Sequence, residues 1–156
     1  LHADWNDCLV LGDQGESTFV AFQLYYALNI MKEFCENEPE YMKYLEETAA
    51  KLLKILNDLC FEGDRFIRGF RDTGDIIGSK KDNEAAMWLN PQSWAVISRA
   101  ATKEQANAVM KTIHENVDFG GFGLGCGNSI PDYIPVEGYF AMLEAANEYR
   151  LAQYGG

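Results

Sequence analysis

The sequence predicts an all-α fold built from helical hairpins, with long loops between them that carry the site. Apolar residues recur at three- and four-residue steps through much of the 156-residue chain, which is the period of an amphipathic helix. The connection between the first two periodic segments is short, which favours an antiparallel hairpin. Aperiodic and glycine-rich stretches separate the later segments and are long enough to be functional. Hairpins with gathered loops occur in an α/α toroid, and a plain bundle fits equally well.

The first hairpin consists of two well-marked helices. An apolar stripe that begins at Phe19 predicts a helix over about 17–35. Pro39 suits the first turn of a second helix, predicted over about 39–60. Residues 61–89 then change character and suggest a short hairpin or an ordered loop with turn residues.

Three more helices are predicted in the C-terminal half. Asn90 and Pro91 have the order of a cap residue followed by a first-position proline. Thr102 and Gln105 have the spacing of a capping box, which marks the start of the next helix. Residues 118–135 are glycine-rich and irregular. The predicted ranges are about 91–101, 103–117 and 135–153. We therefore treat residues 1–156 as one helical domain or part of one.

Composition and charge exclude several classes of function. Hydrophobic residues make up 47% of the chain, which is typical of a globular protein. The 13 basic residues against 24 acidic ones leave no basic face for nucleic acid or an anionic membrane. No stretch approaches the ~18 apolar residues of a membrane span, and no signal-like segment opens the chain. We expect a cytoplasmic protein with reduced cysteines.

No metal ion or cofactor is expected. The glycine run at 120–127 has G-x-G spacing but follows no buried strand, so a dinucleotide site is not supported. The acidic residues near the N-terminus do not match a calcium-binding loop. No cysteine pair has C-x-x-C spacing, and two histidines are too few to complete a zinc set convincingly. The cysteines are Cys8, Cys35, Cys60 and Cys126.

The opening run Asp4-Trp5-Asn6-Asp7-Cys8 is the candidate site. Carboxylates move protons in glycosidic chemistry, and an aromatic face suits a sugar ring. In a helical segment the three-residue spacing would put Asp4 and Asp7 on one side. One could then stay ionised while the other is kept protonated as an acid catalyst. Asp and Asn also cap helices and shape turns, so an ordinary loop is the alternative.

Two groups of motifs together resemble the cellobiose phosphorylase family, glycoside hydrolase family 94. Asp-Trp-Asn-Asp-Cys-Leu at 4–9, followed by Gly-Glu-Ser at 15–17, resembles the catalytic loop of that family. Leu-Asn-Pro-Gln-Ser-Trp-Ala-Val-Ile-Ser at 89–98 follows the family's order. So do three shorter runs at 68–70, 72–74 and 77–79. The resemblance covers roughly residues 1–115.

The resemblance implies a fold, a reaction and a set of site residues. The family's catalytic domain is an (α/α)6 barrel, and its members cleave a β-glucosidic bond by inverting phosphorolysis to give α-glucose 1-phosphate. Asp7 holds the place of the single general acid, and Trp5 that of a residue lining the sugar site before the scissile bond. Cys8 would lie near the acceptor sugar. Asn6 and Asp4 join the substrate-binding set, with a structural or pKa-raising role left open for Asp4.

Departures from the family predict an incomplete site. The family's phosphate-binding histidines and its glutamate–asparagine–glycine-rich motif are not found in residues 116–156, and its N-terminal β-rich domain is missing. Five helices are about half a toroid. We therefore expect an inactive fragment of a homodimeric parent that acts on a β-linked glucosidic disaccharide or oligosaccharide and phosphate. A phosphate-independent hydrolase of the same toroid class and a non-catalytic helical sugar-binding module are the alternatives.

Overall fold

The computed structural model describes residues 4–6, 9–82 and 85–117, with isolated helical positions at 140, 144, 147, 148 and 151. The described part is mostly helical and contains one small three-stranded sheet. The chain divides into two compact units, Leu1–Asn116 and Val117–Gly156. Most of the predicted fifth helix and all of the glycine-rich loop at 118–135 lie outside the described residues. Within the described residues, no helix is long and apolar enough to cross a membrane.

The first two helices pack against each other as consecutive elements. Helix α1 runs over Thr18–Phe34 and α2 over Pro39–Leu59, against predicted ranges of 17–35 and 39–60. Ser17 caps α1, because its hydroxyl oxygen accepts the Val20 N–H at 3.2 Å. Proline at the start of α2 costs no hydrogen bond, because N–H groups in a first turn have no acceptor within the helix.

The third helix begins earlier and ends earlier than the sequence predicted. Helix α3 runs over Leu89–Ile97, and Trp88 rather than Asn90 occupies its N-cap position. Pro91 lies in the first turn instead of at the first position, which is tolerated for the same reason as in α2. The helix stops before 101 because Arg99 adopts the left-handed conformation, with φ of 60°.

The fourth helix starts where its capping box predicted. Helix α4 runs over Lys103–Val117. The Thr102 N–H donates to the Gln105 side-chain oxygen at 2.8 Å, and the Gln105 N–H donates to the Thr102 hydroxyl at 3.2 Å. This reciprocal pair confirms the capping box.

A small sheet joins the N-terminal segment to the middle of the chain. Its hairpin lies within 61–89, where a short hairpin or an ordered loop was predicted, whereas its pairing with the N-terminal segment was not predicted. Strands β1 (Glu16–Ser17), β2 (Gly69–Phe70) and β3 (Ile76–Ile77) are antiparallel in that order. Gly69 pairs with Ser17 on one side and Ile77 on the other. A Cβ at Gly69 would overlap the main-chain oxygen of Glu16, so the close approach of β1 and β2 requires glycine there.

The core of the first unit lies where all four helices meet the strand-bearing segment. Phe22 of α1 and Phe66 make an edge-to-face pair with ring centroids 5.0 Å apart. The apolar stripe of α1 is buried in its first half, but Phe34 at its end is 77% exposed. Buried residues packed with Phe22 and Phe66 come from α2, α3, α4 and the loops: Leu56, Cys60, Ile67, Ala95, Ala100 and Val109.

Both described cysteines, Cys35 and Cys60, are free thiols. Burial raises the pKa of the Cys60 thiol, the neighbouring Thr18 side chain partly offsets that rise, and the charge of Glu16 adds to it. Cys60 is therefore a protonated core residue rather than a nucleophile. Among the described residues, no three His, Cys, Asp or Glu side chains are arranged to hold a metal ion.

Candidate functional site

Asp4, at the start of the opening run, forms a buried ion pair with Arg68. Arg68 Nη2 lies 2.5 Å from Asp4 Oδ1, and the two side chains are 1% and 0% exposed. Asp4 Oδ1 also accepts the Asn6 N–H at 2.8 Å, and Oδ2 accepts the Ser17 hydroxyl. Both carboxylate oxygens are therefore bonded to protein groups and shielded from solvent.

Arg68 is held by contacts on several sides, although its buried Nε makes no hydrogen bond within the described residues. Its guanidinium lies over the rings of Phe19 and Trp88, 5.3 and 5.4 Å from their centroids. Its main-chain N–H donates to the Ile77 carbonyl at 2.7 Å, and its carbonyl accepts the Thr18 N–H at 3.1 Å. A buried pair of this kind is costly to break, at about 3–5 kcal/mol, because the remaining charge is left uncompensated.

The chain is fixed on both sides of Asp7. Asp7 and Cys8 themselves lie outside the described residues. Before them, Asp4 is locked to Arg68; after them, Leu9 and Leu11 are buried, with exposed fractions of 8% and 1%. The Leu9 N–H donates to the Asn6 carbonyl at 2.8 Å and so links the two flanks directly.

Trp5 is the described member of the opening run that offers a large exposed surface. Its side chain is 52% exposed, and the edge of its ring system contacts Phe19 with centroids 6.5 Å apart. Phe19 in turn meets Trp94, which meets Tyr26, each at 6.0 Å between centroids. The indole is therefore supported by packed aromatic rings and available to a ligand. Asn6 is partly buried.

A second attachment holds residues 11–13 to the turn between β2 and β3. The Asp72 N–H donates to the Leu11 carbonyl at 3.0 Å, and the Asp72 carboxylate accepts the Asp13 N–H at 3.1 Å. Gly12, between them, has φ of 90°, and a Cβ there would overlap the Asp72 carboxylate. Glycine is required at this position both for its backbone conformation and for space.

We predict that Gly12→Ala lowers the free energy of unfolding by about 2–3 kcal/mol, because it adds left-handed strain and displaces the Asp72 carboxylate. Gly74 is a matched control, since its φ is 89° and its Cβ position has no neighbour within 4 Å. Gly74→Ala should cost only the strain, about 1 kcal/mol. Urea unfolding of the two variants measures the difference. Equal losses would show that the contact with Asp72 does not matter.

Sequence reasoning gave Arg68 no role, although it lay in one of the motifs. The available signal was a cation within a run of apolar residues and glycines, Phe66 to Phe70. A guanidinium buried there needs a carboxylate partner. The sequence offered many carboxylates and no means of choosing among them. The structure selects Asp4, 64 residues away.

Comparison with known proteins shows that this chain is similar to one family model and to several proteins named as disaccharide phosphorylases. The model of the glycosyl hydrolase 94 superfamily, catalytic domain, matches residues 1–132. Cellobionic acid phosphorylase of Neurospora crassa is 33% identical over 124 residues, which cover 75% of this chain and 16% of that protein. Solabiose phosphorylase of Paenibacillus borealis is 31% identical over 121 residues, covering 74% and 16%. N,N'-diacetylchitobiose phosphorylase of Vibrio proteolyticus is 34% identical over 131 residues, covering 80% and 16%.

Proposed function

The chain belongs to the glycosyl hydrolase 94 superfamily, and we propose that it is part of the catalytic domain of an inverting glycoside phosphorylase. The full-length parent cleaves a β-glucosidic disaccharide or oligosaccharide, such as cellobiose, with inorganic phosphate and releases α-glucose 1-phosphate. One observation carries this proposal: the acid-bearing opening run is fixed on both flanks beside an exposed indole, in a chain whose relatives are named as phosphorylases. Trp5 then faces the sugar, with Asn6 and Cys8 beside it.

The proposed reaction needs one protonated carboxyl group from this chain. Asp7 donates its proton to the departing sugar oxygen while a phosphate oxygen attacks the anomeric carbon from the opposite face. Phosphate is already an anionic nucleophile, so the second carboxylate that an inverting hydrolase uses to activate water is not needed. Asp4 is unsuited to that second task, because its carboxylate is buried against Arg68.

Exposed apolar side chains support the view that the parent domain is larger. The chain spans 16% of the length of the relatives described above. Large apolar side chains on α1 and α2 are at least 45% exposed: Leu24, Met31, Phe34, Tyr41, Tyr44, Ile55 and Leu59. We propose that further helices of an (α/α)6 barrel cover these faces in the parent. We also propose that the parent is a cytoplasmic homodimer and that its other segments supply the phosphate site. The isolated chain should be inactive and prone to associate.

Phosphate-dependent cleavage tests the proposal. The full-length parent and the purified 156-residue chain would each be incubated with cellobiose, cellobionic acid, solabiose and N,N'-diacetylchitobiose, with and without phosphate. NMR would detect the sugar 1-phosphate and its anomeric configuration. We expect α-configured product from the parent, only with phosphate, and none from the isolated chain. Phosphate-independent release of sugar would favour a hydrolase. Sugar binding without turnover by the parent would favour a non-catalytic module.

A further inference from the structure

We propose that Arg68 is a positioning residue for the general acid and acts through Asp4. The inference rests on the proposed function, because it assigns Arg68 a task in that reaction. Arg68 is too buried, at 1% exposure of its side chain, to touch a sugar or phosphate directly. Its influence on the reaction would therefore pass through the segment that it holds.

The first step is that Asp4 and Arg68 depend on each other. Among the described residues, Asp4 is the carboxylate that pairs with Arg68, and the pair is almost completely shielded from water. Losing the guanidinium would leave a buried carboxylate with hydrogen bonds from Ser17 and the Asn6 N–H alone. The segment 4–6 would then be driven toward solvent to hydrate that charge.

The second step is that Arg68 is rigid enough to define a position. Its main chain is bonded on both sides, to Ile77 and to Thr18. Gly78 packs so closely that a Cβ there would lie 2.8 Å from Arg68 N and 2.9 Å from Arg68 Cβ. The guanidinium is flanked by two aromatic rings. The guanidinium that binds Asp4 therefore has a fixed position next to the sheet, so it can fix the position of segment 4–6.

The third step is the short distance along the chain from Asp4 to the acid. Asp7 follows Asp4 by three residues, and the Asn6 carbonyl is bonded to the Leu9 N–H on the other side of residues 7 and 8. Movement of segment 4–6 would therefore be passed to the acid. A displacement of about 1 Å can cost about 100-fold in rate when a proton must be delivered along a defined line.

The choice of leaving group separates positioning from general stability. A sugar leaving group requires a proton from Asp7, whereas 2,4-dinitrophenolate departs from its β-glucoside without one. A misplaced acid should lower kcat for the disaccharide and leave kcat for the aryl glucoside and KM for phosphate nearly unchanged. Loss of folded enzyme would lower both rates in the same proportion.

The experiment uses the full-length parent with Arg68→Lys, Arg68→Met and the double variant Asp4→Asn/Arg68→Met. Lysine keeps the charge, but its single ammonium group cannot reproduce the planar guanidinium that donates to both Asp4 and Ser17. The double variant removes both charges, so no uncompensated ion remains to unfold the protein. Arg65→Met is the matched control, since Arg65 pairs with Asp64 at 3.1 Å and donates to the Ala86 carbonyl at 3.0 Å, away from the opening run.

We expect each Arg68 variant to lose about 100-fold in kcat with the disaccharide and less than about 5-fold with the aryl glucoside. The double variant should recover stability without recovering kcat for the disaccharide. Arg65→Met should lower kcat for the disaccharide and for the aryl glucoside only slightly and by the same factor. Hydrogen exchange on the isolated chain should also show faster exchange at the Asn6 and Leu9 amides in Arg68→Lys than in Arg65→Met.

Two different failures are distinguishable. If the wild-type parent makes no sugar phosphate from any disaccharide, the proposed function is wrong and the positioning role of Arg68 is wrong as well. The wild type could instead be active while the Arg68 variants lose kcat for both substrates in the same proportion, or while the exchange rates of the Asn6 and Leu9 amides stay unchanged. Either result would overturn only the positioning role.

Discussion

Asp7→Asn in the full-length parent should lower kcat for disaccharide phosphorolysis by about 1,000-fold or more. Asparagine has nearly the same size as aspartate but no acidic proton, so the departing sugar oxygen would leave as an alkoxide. General acid catalysis contributes about 100- to 10,000-fold, and the proposed reaction depends on one such group. The initial rate of α-glucose 1-phosphate formation measures the loss. KM for the sugar should change little, since the side-chain volume is conserved.

Asp13→Asn is the matched control for this prediction. Asp13 is an exposed carboxylate in the same N-terminal segment, and its contact with Asp72 is made by its main-chain N–H. The substitution removes one negative charge near the opening run and leaves the proposed acid itself unchanged, so we expect a change of less than about 3-fold. Comparable losses in the two variants would point to a general effect of charge. Near wild-type activity in Asp7→Asn would show that another group supplies the proton.

Local signals in the sequence were enough to predict the starts of α2 and α4. The capping box at Thr102 and Gln105 involves residues three positions apart, and the proline at 39 acts within one turn. Such features depend on neighbouring residues, which a sequence displays directly. The start of α3 was misplaced because proline is allowed anywhere in a first turn, so Asn90-Pro91 did not fix which residue was the cap.

The connections that shape the candidate site are non-local, and the sequence did not show them. Strands of two residues are too short to produce an alternating pattern, so the pairing of Glu16–Ser17 with Gly69–Phe70 had no periodic signal. The ion pair between Asp4 and Arg68 spans 64 positions in an acidic chain with many candidate partners. The opening run could thus be predicted as a candidate site, whereas the groups that hold it became visible only in three dimensions.

Gln92→Leu should lower the free energy of unfolding by about 3–5 kcal/mol. Gln92 lies in the run 89–98, where a polar residue could have been assigned to sugar binding, but its side chain is 0% exposed. Its oxygen accepts the Phe66 N–H at 2.8 Å, and its nitrogen donates to the carbonyls of Phe66 at 2.7 Å and Trp88 at 2.9 Å. Leucine fills a similar volume but leaves both main-chain groups of Phe66 without a partner, at about 1–3 kcal/mol each. Urea unfolding of the chain measures the loss.

Gln92→Glu separates the hydrogen bonds from the packing, because it keeps the shape and one acceptor oxygen but loses the amide donor. Burial should raise the pKa of the introduced carboxyl in the folded state above its unfolded value. Stability should therefore be lowest near neutral pH and improve as the pH falls through the folded-state pKa, where the protonated carboxyl can donate to the Phe66 carbonyl. Gln23→Leu, at a partly buried glutamine in α1, should change stability by less than about 0.5 kcal/mol at any pH. A loss in Gln92→Leu no larger than in Gln23→Leu would mean that the Phe66 hydrogen bonds contribute nothing to holding α3 against the core.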